Sequence, residues 1–410
     1  MIRPYAALRF AALLLLSAAP GATLDAQSAK REDVPPRPRF TVARDSNSAA
    51  AYYYHGMQML AKHPAEAADA FYWAARLEPE WADPVYARRV ALLMRDESSL
   101  IEYVMTGRRT REQKHADSLQ QRALLLDPFL YRKLDREMLD RAVNAYIRQR
   151  DRDRGGMGTM PVFLRASDFA LDNPRLAGWM AYSDGQFADA LKYFGTAMKR
   201  SPKAYDIHSE RADVLYLVGN YDSTLVELDA MLGEMRKVDQ KKLLAYYDSK
   251  AFVEYQTGKV HVARGDLAQA REAFGRALTE DLSFYMAHAA LSGVALAQHD
   301  TGTAIQEYDL AVQLAGDDPG LRYEYGAMLF VTAKYDAAAE QFAKAIELDP
   351  DYAKPYFPLA YIHDGNGRDA EALRYYDGYV RRAPTSDGTR LEQARARLTE
   401  LRASAAGATK

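Results

Sequence analysis

Apolar and polar positions along the chain form a pattern built around a small–aromatic–small triplet. Near the C-terminus the triplet is Ala338, Phe342 and Ala345, spaced by four and then three residues. Residues at that spacing lie on one face of an α-helix, where they can pack against a neighbour. Pro350 follows five residues later, and proline cannot continue a helix. The pattern therefore predicts a helix with one apolar face that ends before Pro350.

The same triplet recurs along the chain at a constant interval. Its first residue returns every 34 positions, at Ala270, Ala304, Ala338 and Ala372, and related triplets begin at Ala67, Ala190 and Thr224. Small residues precede the triplet by twelve positions, at Gly178, Gly258 and Gly326, and turn-forming glycines by five, at Gly185, Gly219, Gly265 and Gly367. A fixed period of this length is typical of a stacked array, in which a unit buries its apolar face only against the next unit.

Units of 34 residues with this arrangement resemble the tetratricopeptide repeat (TPR) family. The resemblance implies an all-α fold, a right-handed α-solenoid of stacked TPR helix hairpins. The expected order is a signal peptide (1–26), a linker (27–47), a TPR-like repeat (48–82), an irregular helical insert or degenerate repeats (83–170) with a loop at 150–161, two TPRs (171–232), an insertion (233–250), four TPRs (251–384), and a capping helix with a tail (385–410).

The N-terminus has the features of a secretory signal peptide in their usual order. Arg3 and Arg9 form a basic start, residues 10–19 are apolar, and small residues follow. An apolar stretch of about ten residues is too short to span a membrane. We expect cleavage after Ala26, or alternatively after Ala22, and export of the mature protein to the periplasm or out of the cell. The alternative is an uncleaved N-terminus that anchors a membrane-associated scaffold.

The TPR resemblance also implies where a ligand would bind, in the concave groove lined by the first helix of each hairpin. The groove positions are aromatic at Trp179, Tyr182, Tyr216, Phe252, Tyr255, Tyr323, Phe330, Phe357 and Tyr361. Such rings suit an extended peptide or an amphipathic helix of a partner protein. The alternative is that individual rings only fill the seams between helices. The TPR clamp for acidic chaperone tails is not expected, because its lysine and asparagine positions are here mostly aromatic, small or acidic, as at Asp206, Asp213 and Asp364.

Composition and motifs point away from catalysis and nucleic acids. The formal net charge is −2, so there is no basic excess that would attract a phosphate backbone. The sequence has no G-x-x-x-x-G-K-[ST] phosphate loop, no H-E-x-x-H zinc motif and no G-x-S-x-G nucleophile elbow. It also has no cysteine, which excludes disulfides and cysteine-ligated metals. We therefore expect no enzymatic activity, no metal and no cofactor.

The sequence thus predicts an exported TPR scaffold that mediates protein–protein interaction through an aromatic-rich concave groove. The alternative hypothesis is an accessory subunit of an envelope secretion or polysaccharide-handling assembly, in which the repeats position another protein's active site. In both cases the partner is a protein or peptide whose identity the sequence does not give, and no membrane span is expected after signal cleavage.

Overall fold

The computed structural model describes residues 34–39, 45–96, 100, 110–153, 173–201, 205–239 and 249–408. The predicted signal peptide and most of the predicted linker lie outside these residues, as do parts of the predicted loop and insertion. Within the described residues, all regular secondary structure is helical. The chain is an all-α solenoid of helix hairpins, as the repeat pattern predicts.

The helices fall into a leading group, six hairpins and a closing helix. The leading group is α1 (Ala49–Met59), α2 (Pro64–Leu77), α3 (Ala82–Met94), α4 (Arg111–Leu126) and α5 (Asp135–Asp153). The hairpins are α6 (Pro174–Ser183) with α7 (Phe187–Arg200), α8 (Tyr205–Leu217) with α9 (Tyr221–Asp239), α10 (Lys250–Arg264) with α11 (Leu267–Glu280), α12 (Tyr285–Ala297) with α13 (Thr301–Leu314), α14 (Pro319–Val331) with α15 (Tyr335–Leu348), and α16 (Tyr356–Gly365) with α17 (Asp369–Arg382). A 3₁₀ turn (Thr385–Asp387) and α18 (Gly388–Ala408) follow.

Two irregular stretches of the sequence are helical in part. Helix α5 continues through residues 150–153, which were assigned to the start of a loop. Arginine, a good helix former, recurs in this stretch, whereas the helix-breaking Gly155 and Gly156 come later. Helix α9 runs to Asp239, so the first part of the predicted insertion at 233–250 lengthens that helix.

Small residues let the two helices of a hairpin approach closely. A Cβ atom on Gly326 of α14 would lie 2.7 Å from the ring of Phe342 on α15, and Gly178 is equally tight. In α12 the equivalent residue is Ser292, whose hydroxyl donates a 2.7 Å hydrogen bond to the Ala304 carbonyl. The small and aromatic positions of the sequence pattern are therefore the packing seam of each hairpin.

The turn inside each hairpin uses left-handed backbone. In four hairpins the residue is glycine with φ between 67° and 82°, at Gly185, Gly219, Gly265 and Gly367. His299 and Ala333 take the same place in the other two hairpins, with φ of 62° and 59°. A side chain makes this region unfavourable, so these two turns are strained.

The chain folds into two compact units. Unit 1 contains Met59–Ala68 and Val85–Glu280, and with them the three hairpins from α6 to α11. Unit 2 contains Pro35–Gln58, Asp69–Pro84 and Asp281–Lys410, and with them the three hairpins from α12 to α17.

Unit 2 includes a piece from near the N-terminus of the chain. Arg76, at the end of α2, forms salt bridges of 3.1 and 3.2 Å with Asp349 and Asp351, which precede α16. Glu80 pairs with Lys354 in the same loop. The sequence places this piece in the first TPR-like repeat, and the structure packs it on the C-terminal repeats.

The last helix, α18, covers the end of unit 2. Its apolar side chains pack in one cluster with residues of α16 and α17, and they are Leu391, Ala394, Leu398 and Leu401. Arg397 also binds both carboxylate oxygens of Asp364 on α16, each at 2.8 Å. The helix thus gives the terminal repeat an apolar neighbour, which repeat arrays need at their ends.

Candidate peptide-binding groove

The nine aromatic residues assigned to the groove from the sequence fall into two sets, one in each unit. Unit 1 holds the set on α6, α8 and α10, namely Trp179, Tyr182, Tyr216, Phe252 and Tyr255. Unit 2 holds the set on α14 and α16, namely Tyr323, Phe330, Phe357 and Tyr361. The two sets differ in what covers them.

The groove of unit 1 is filled by residues 125–132 of the same chain, here called the occupying segment. The segment begins at the end of α4 and has no helix after Leu126 until α5 begins at Asp135. It lies against the first helices of three consecutive hairpins. Four of the five predicted rings in this unit contact it directly, through hydrogen bonds or ring packing.

Side chains of the groove bind the backbone of the occupying segment. Three hydrogen bonds run from groove side chains to backbone carbonyl oxygens: Tyr255 to Leu125 (3.3 Å), Gln256 to Pro128 (3.1 Å) and Tyr182 to Leu130 (3.2 Å). The segment therefore runs from α10 towards α6, opposite to the order of the hairpins. Hydrogen bonds to the backbone fix this direction and do not depend on the side chains of the segment.

Phe129 is the aromatic anchor of the occupying segment. Its ring stacks on that of Tyr216 of α8, with 3.9 Å between centroids and 10° between planes. Ala212 of α8 and Val253 of α10 belong to the same buried cluster. Only 2% of the Phe129 surface remains exposed. Phe129 thus lies in an apolar subsite formed by the Tyr216 ring and its small neighbours.

Arg132 is the charged anchor of the occupying segment. Its Nη2 atom lies 3.0 Å from Oδ2 of Asp213 on α8, and its guanidinium lies 4.4 Å from the centroid of the Trp179 ring. Its backbone N–H donates to the Tyr182 hydroxyl at 3.2 Å. Burial raises the pKa of Asp213 to about 6, although the charge of Arg132 opposes this shift. The subsite therefore presents a buried carboxyl group to a cation and flanks it with an aromatic ring.

A second buried carboxyl group, that of Glu210, fixes the position of the Trp179 ring. Glu210 accepts hydrogen bonds from the Trp179 indole at 2.8 Å and from Nε of Arg175 at 2.6 Å. Burial raises the pKa of Glu210 to about 7, with Arg175 opposing the shift. Because Glu210 holds the indole N–H, the face of the Trp179 ring stays available to Arg132.

Two of the predicted rings in unit 2 pack mainly against their own hairpins and neighbours. Tyr323 lies against Phe342 and Tyr352, with centroid distances of 5.8 and 5.5 Å. Phe357 lies 5.3 Å from the Tyr379 ring. These contacts are the ones expected if such rings fill the seams between helices.

The other two rings of unit 2 lie at its surface. Phe330 contacts Tyr335 and Tyr361, with centroid distances of 5.3 and 6.0 Å. Tyr335 is 49% exposed and Tyr361 is 56% exposed. These three residues, Phe330, Tyr335 and Tyr361, are called the open aromatic patch below.

Several residues that build the unit 1 site do not stand out in the sequence. Phe129 and Arg132 lie in a stretch that resembles a repeat end, and Gln256 follows a predicted ring without fitting the repeat pattern. Asp213 is an acidic residue at a predicted groove position, which argues against the chaperone-tail clamp but does not by itself indicate a cation subsite. The signal in the sequence that could have pointed to this site is a polar residue at or beside a predicted groove position, such as Gln256 or Asp213. Both are buried in the structure, where polar groups need partners.

The described residues also bear on metal binding and on membrane insertion. They contain no group of three or more His, Asp or Glu residues that could hold a metal ion. None of the helices in this part of the chain combines the length and the apolar character that crossing a bilayer requires.

Comparison with known proteins agrees with the fold. The family model for the tetratricopeptide repeat matches residues 175–228, 255–319 and 329–387, and no curated protein matches the sequence. One similar solved structure is YrrB, a TPR protein with an unusual peptide-binding site, at 21% identity over 50% of this chain and 100% of that chain, with a TM-score of 0.39. MamA is 19% identical over 42% of this chain and 93% of its own, with a TM-score of 0.36. Yeast Tom70 is 12% identical over 87% of this chain and 90% of its own, with a TM-score of 0.43. At these identities and TM-scores the likeness says nothing about function. Residues 175–228, 255–319 and 329–387 are therefore tetratricopeptide repeats.

Proposed function

We propose that this protein is an exported TPR scaffold that binds segments of other proteins in the concave groove of its repeats. The observation that carries the proposal is the occupying segment. Groove side chains hold this non-helical stretch by ring stacking, by one salt bridge and by hydrogen bonds to its backbone. A segment of another protein offers the same groups, so the groove has the chemistry that peptide recognition requires.

The open aromatic patch supports the same function from unit 2. Phe330, Tyr335 and Tyr361 present aromatic surface that the described part of the chain leaves partly uncovered. Tyrosines combine a large apolar ring with a hydroxyl group, and they are enriched among the interface residues that contribute most of the binding free energy. The patch is therefore proposed as a contact surface for a partner protein.

Export is the part of the proposal that rests on sequence alone. The basic, apolar and small-residue stretches of residues 1–26 support it. Mass spectrometry of the protein purified from its native host tests it. We expect a mature N-terminus at Gln27, or at Thr23 if cleavage follows Ala22. A protein that retains Met1 would contradict cleavage and favour the anchored alternative.

The scaffold function is tested by recovery of partners from an envelope extract after chemical cross-linking. The informative variant is Tyr335→Ala plus Tyr361→Ala. Its matched control is Tyr54→Ala plus Tyr193→Ala, two tyrosines outside the patch that are 63% and 40% exposed. We expect the wild type and the control to recover the same proteins, and the patch variant to recover them at least about tenfold less.

Two results would count against this proposal. If all three folded proteins recover the same amounts of partner protein, the open aromatic patch is not a contact surface. The absence of any protein enriched by the wild type over an unrelated bait would contradict the scaffold function itself. Circular dichroism of each variant shows whether a loss of recovery reflects a loss of fold.

A further inference from the structure

We propose that the groove of unit 1 is a binding site for partner segments in which an aromatic residue stands three positions before an arginine. In the protein without a partner, the occupying segment fills this site with its own Phe129 and Arg132. This inference deepens the proposed function and rests on it. It names the chemistry of the ligand and the direction in which the ligand lies.

The aromatic subsite selects one residue of the ligand. Tyr216 supplies a flat face at stacking distance, and Ala212 and Val253 supply small apolar walls around it. A ring fills this space and gains the stacking contact, whereas an aliphatic side chain fills it without stacking. The subsite therefore prefers phenylalanine or tyrosine in the ligand.

The charged subsite selects the second residue. Asp213 is 7% exposed, so its carboxylate is costly to leave without a cation. Arginine meets both features of the subsite, because its guanidinium can pair with Asp213 and lie on the ring of Trp179. Lysine offers a compact point charge and does not stack in the same way. A ligand that lacks a cation here would leave Asp213 buried and uncompensated.

The backbone contacts set the spacing and the direction. Tyr182 accepts a hydrogen bond from the Arg132 N–H and donates one to the Leu130 carbonyl, while Gln256 donates to the Pro128 carbonyl. These bonds hold the chain between the two anchors by groups that every peptide carries. The two residues between the anchors also fit the site through their side chains, since Leu130 is buried and the Tyr131 ring lies 5.4 Å from that of Tyr182.

The occupying segment leaves room for a better ligand. Arg132 pairs with Asp213 through one nitrogen, and its buried Nε has no hydrogen-bond partner among the described residues. By contrast, Arg397 in unit 2 binds both oxygens of Asp364. A partner arginine whose approach is not set by a covalent connection to α5 could form that stronger, two-bond geometry. The occupying segment competes because its covalent connection gives it a high local concentration.

The test measures binding of fluorescently labelled peptides by anisotropy. The first probe has the sequence of residues 124–135, LLLDPFLYRKLD. The second has alanine in place of its phenylalanine and arginine. The third keeps residues 127–132, DPFLYR, and has serine at the other positions. The proteins are full-length wild type, the double variant Phe129→Ala plus Arg132→Ala, and Lys133→Ala, which removes an exposed cation one position further on.

We expect the double variant to bind the first and third probes at least about tenfold more tightly than the second. We also expect it to bind them at least about tenfold more tightly than wild type and Lys133→Ala do, because those proteins keep their own occupant in the groove. A fourth probe, the first with glutamine in place of its arginine, should bind the double variant more weakly than the first does, and adding Asp213→Asn to the double variant should remove this preference for arginine. This last readout reports on the charged subsite alone.

Three results would overturn the inference: equal binding of the first and second probes, equal binding by wild type and the double variant, or no binding by a double variant that is folded. If the double variant does not fold, the single variant Arg132→Gln takes its place under the same criteria. Failure here and failure of the scaffold function are distinguishable, because partner recovery through the open aromatic patch concerns unit 2 and is measured separately.

Discussion

Ala333 closes the turn between α14 and α15 in a conformation that suits glycine better than alanine. Its φ is 59°, and in four other hairpins the equivalent residue is a glycine with positive φ. The Ala333 N–H donates to the Phe330 carbonyl at 3.0 Å, a bond that glycine would keep. The methyl group is exposed, so its removal takes away no packing. We predict that Ala333→Gly stabilises unit 2.

The size of the effect follows from two opposing contributions. A left-handed conformation costs a residue with a Cβ atom about 1–2 kcal/mol. Glycine avoids this strain, but its flexibility in the unfolded chain costs roughly 0.5–1 kcal/mol. The net gain expected for Ala333→Gly is therefore about 0.5–1 kcal/mol. The same reasoning applies to His299, whose φ is 62°.

Urea unfolding followed by circular dichroism measures the gain. The matched control is Ala403→Gly, an exposed alanine inside α18 of the same unit, where glycine should cost about 1 kcal/mol. The same chemical change is thus expected to have opposite signs at the two positions. If Ala333→Gly destabilises the protein as Ala403→Gly does, the turn is not strained and this explanation of it is wrong.

The remaining predictions concern the seam and the buried charges. Gly326→Ala should destabilise by about 1–3 kcal/mol, because the new Cβ would lie 2.7 Å from the Phe342 ring; an unchanged urea midpoint would contradict this. Burial raises the pKa of Glu210 to about 7, so the folded protein binds this proton more tightly than the unfolded chain does. The stability that this proton contributes is complete below about pH 4.5 and is lost as pH rises through 7. The free energy of unfolding should therefore fall by at most about 1.4 kcal/mol per pH unit in this range, and Glu210→Gln should remove this dependence. Arg132→Gln should lower the free energy of unfolding by about 3–5 kcal/mol at pH 8, because it leaves Asp213 charged and unpaired. The loss should be smaller at pH 5, where Asp213 can bind a proton. An equal loss at both pH values would contradict the pairing.

The hairpins could be predicted from the sequence because their packing is local. Gly326 meets Phe342 sixteen residues later, and the same spacing separates Gly178 from Phe194 and Gly258 from Phe274. The lone hairpin near the N-terminus was harder to place. Arg76 meets Asp349, a residue 273 positions away, and periodicity does not tell which repeat an isolated hairpin packs on.

The candidate site was predicted only in part, for a similar reason. The repeat register places Tyr182, Tyr216 and Tyr255 on the first helices of their hairpins, and the structure has them there. It carries no information on what lies against them, because the occupying segment comes from outside the regular repeats. Gln256 and Pro128 are 128 positions apart, and Arg132 and Asp213 are 81 apart. Such pairings depend on the path of one irregular connection, which no local pattern encodes.

The most direct test of this account is a photocross-link from the centre of the groove. Replacing Tyr216 with p-benzoylphenylalanine puts a reactive aromatic group beside Phe129, and trypsin releases residues 123–132 as one fragment. In the protein alone, we predict that the cross-link falls on this fragment. With a saturating peptide that carries phenylalanine and arginine at the proposed spacing, the cross-link should move to the peptide. A cross-link that stays on residues 123–132 at every peptide concentration would show that the segment is a fixed part of the core, and it would contradict the claim that this groove receives a partner.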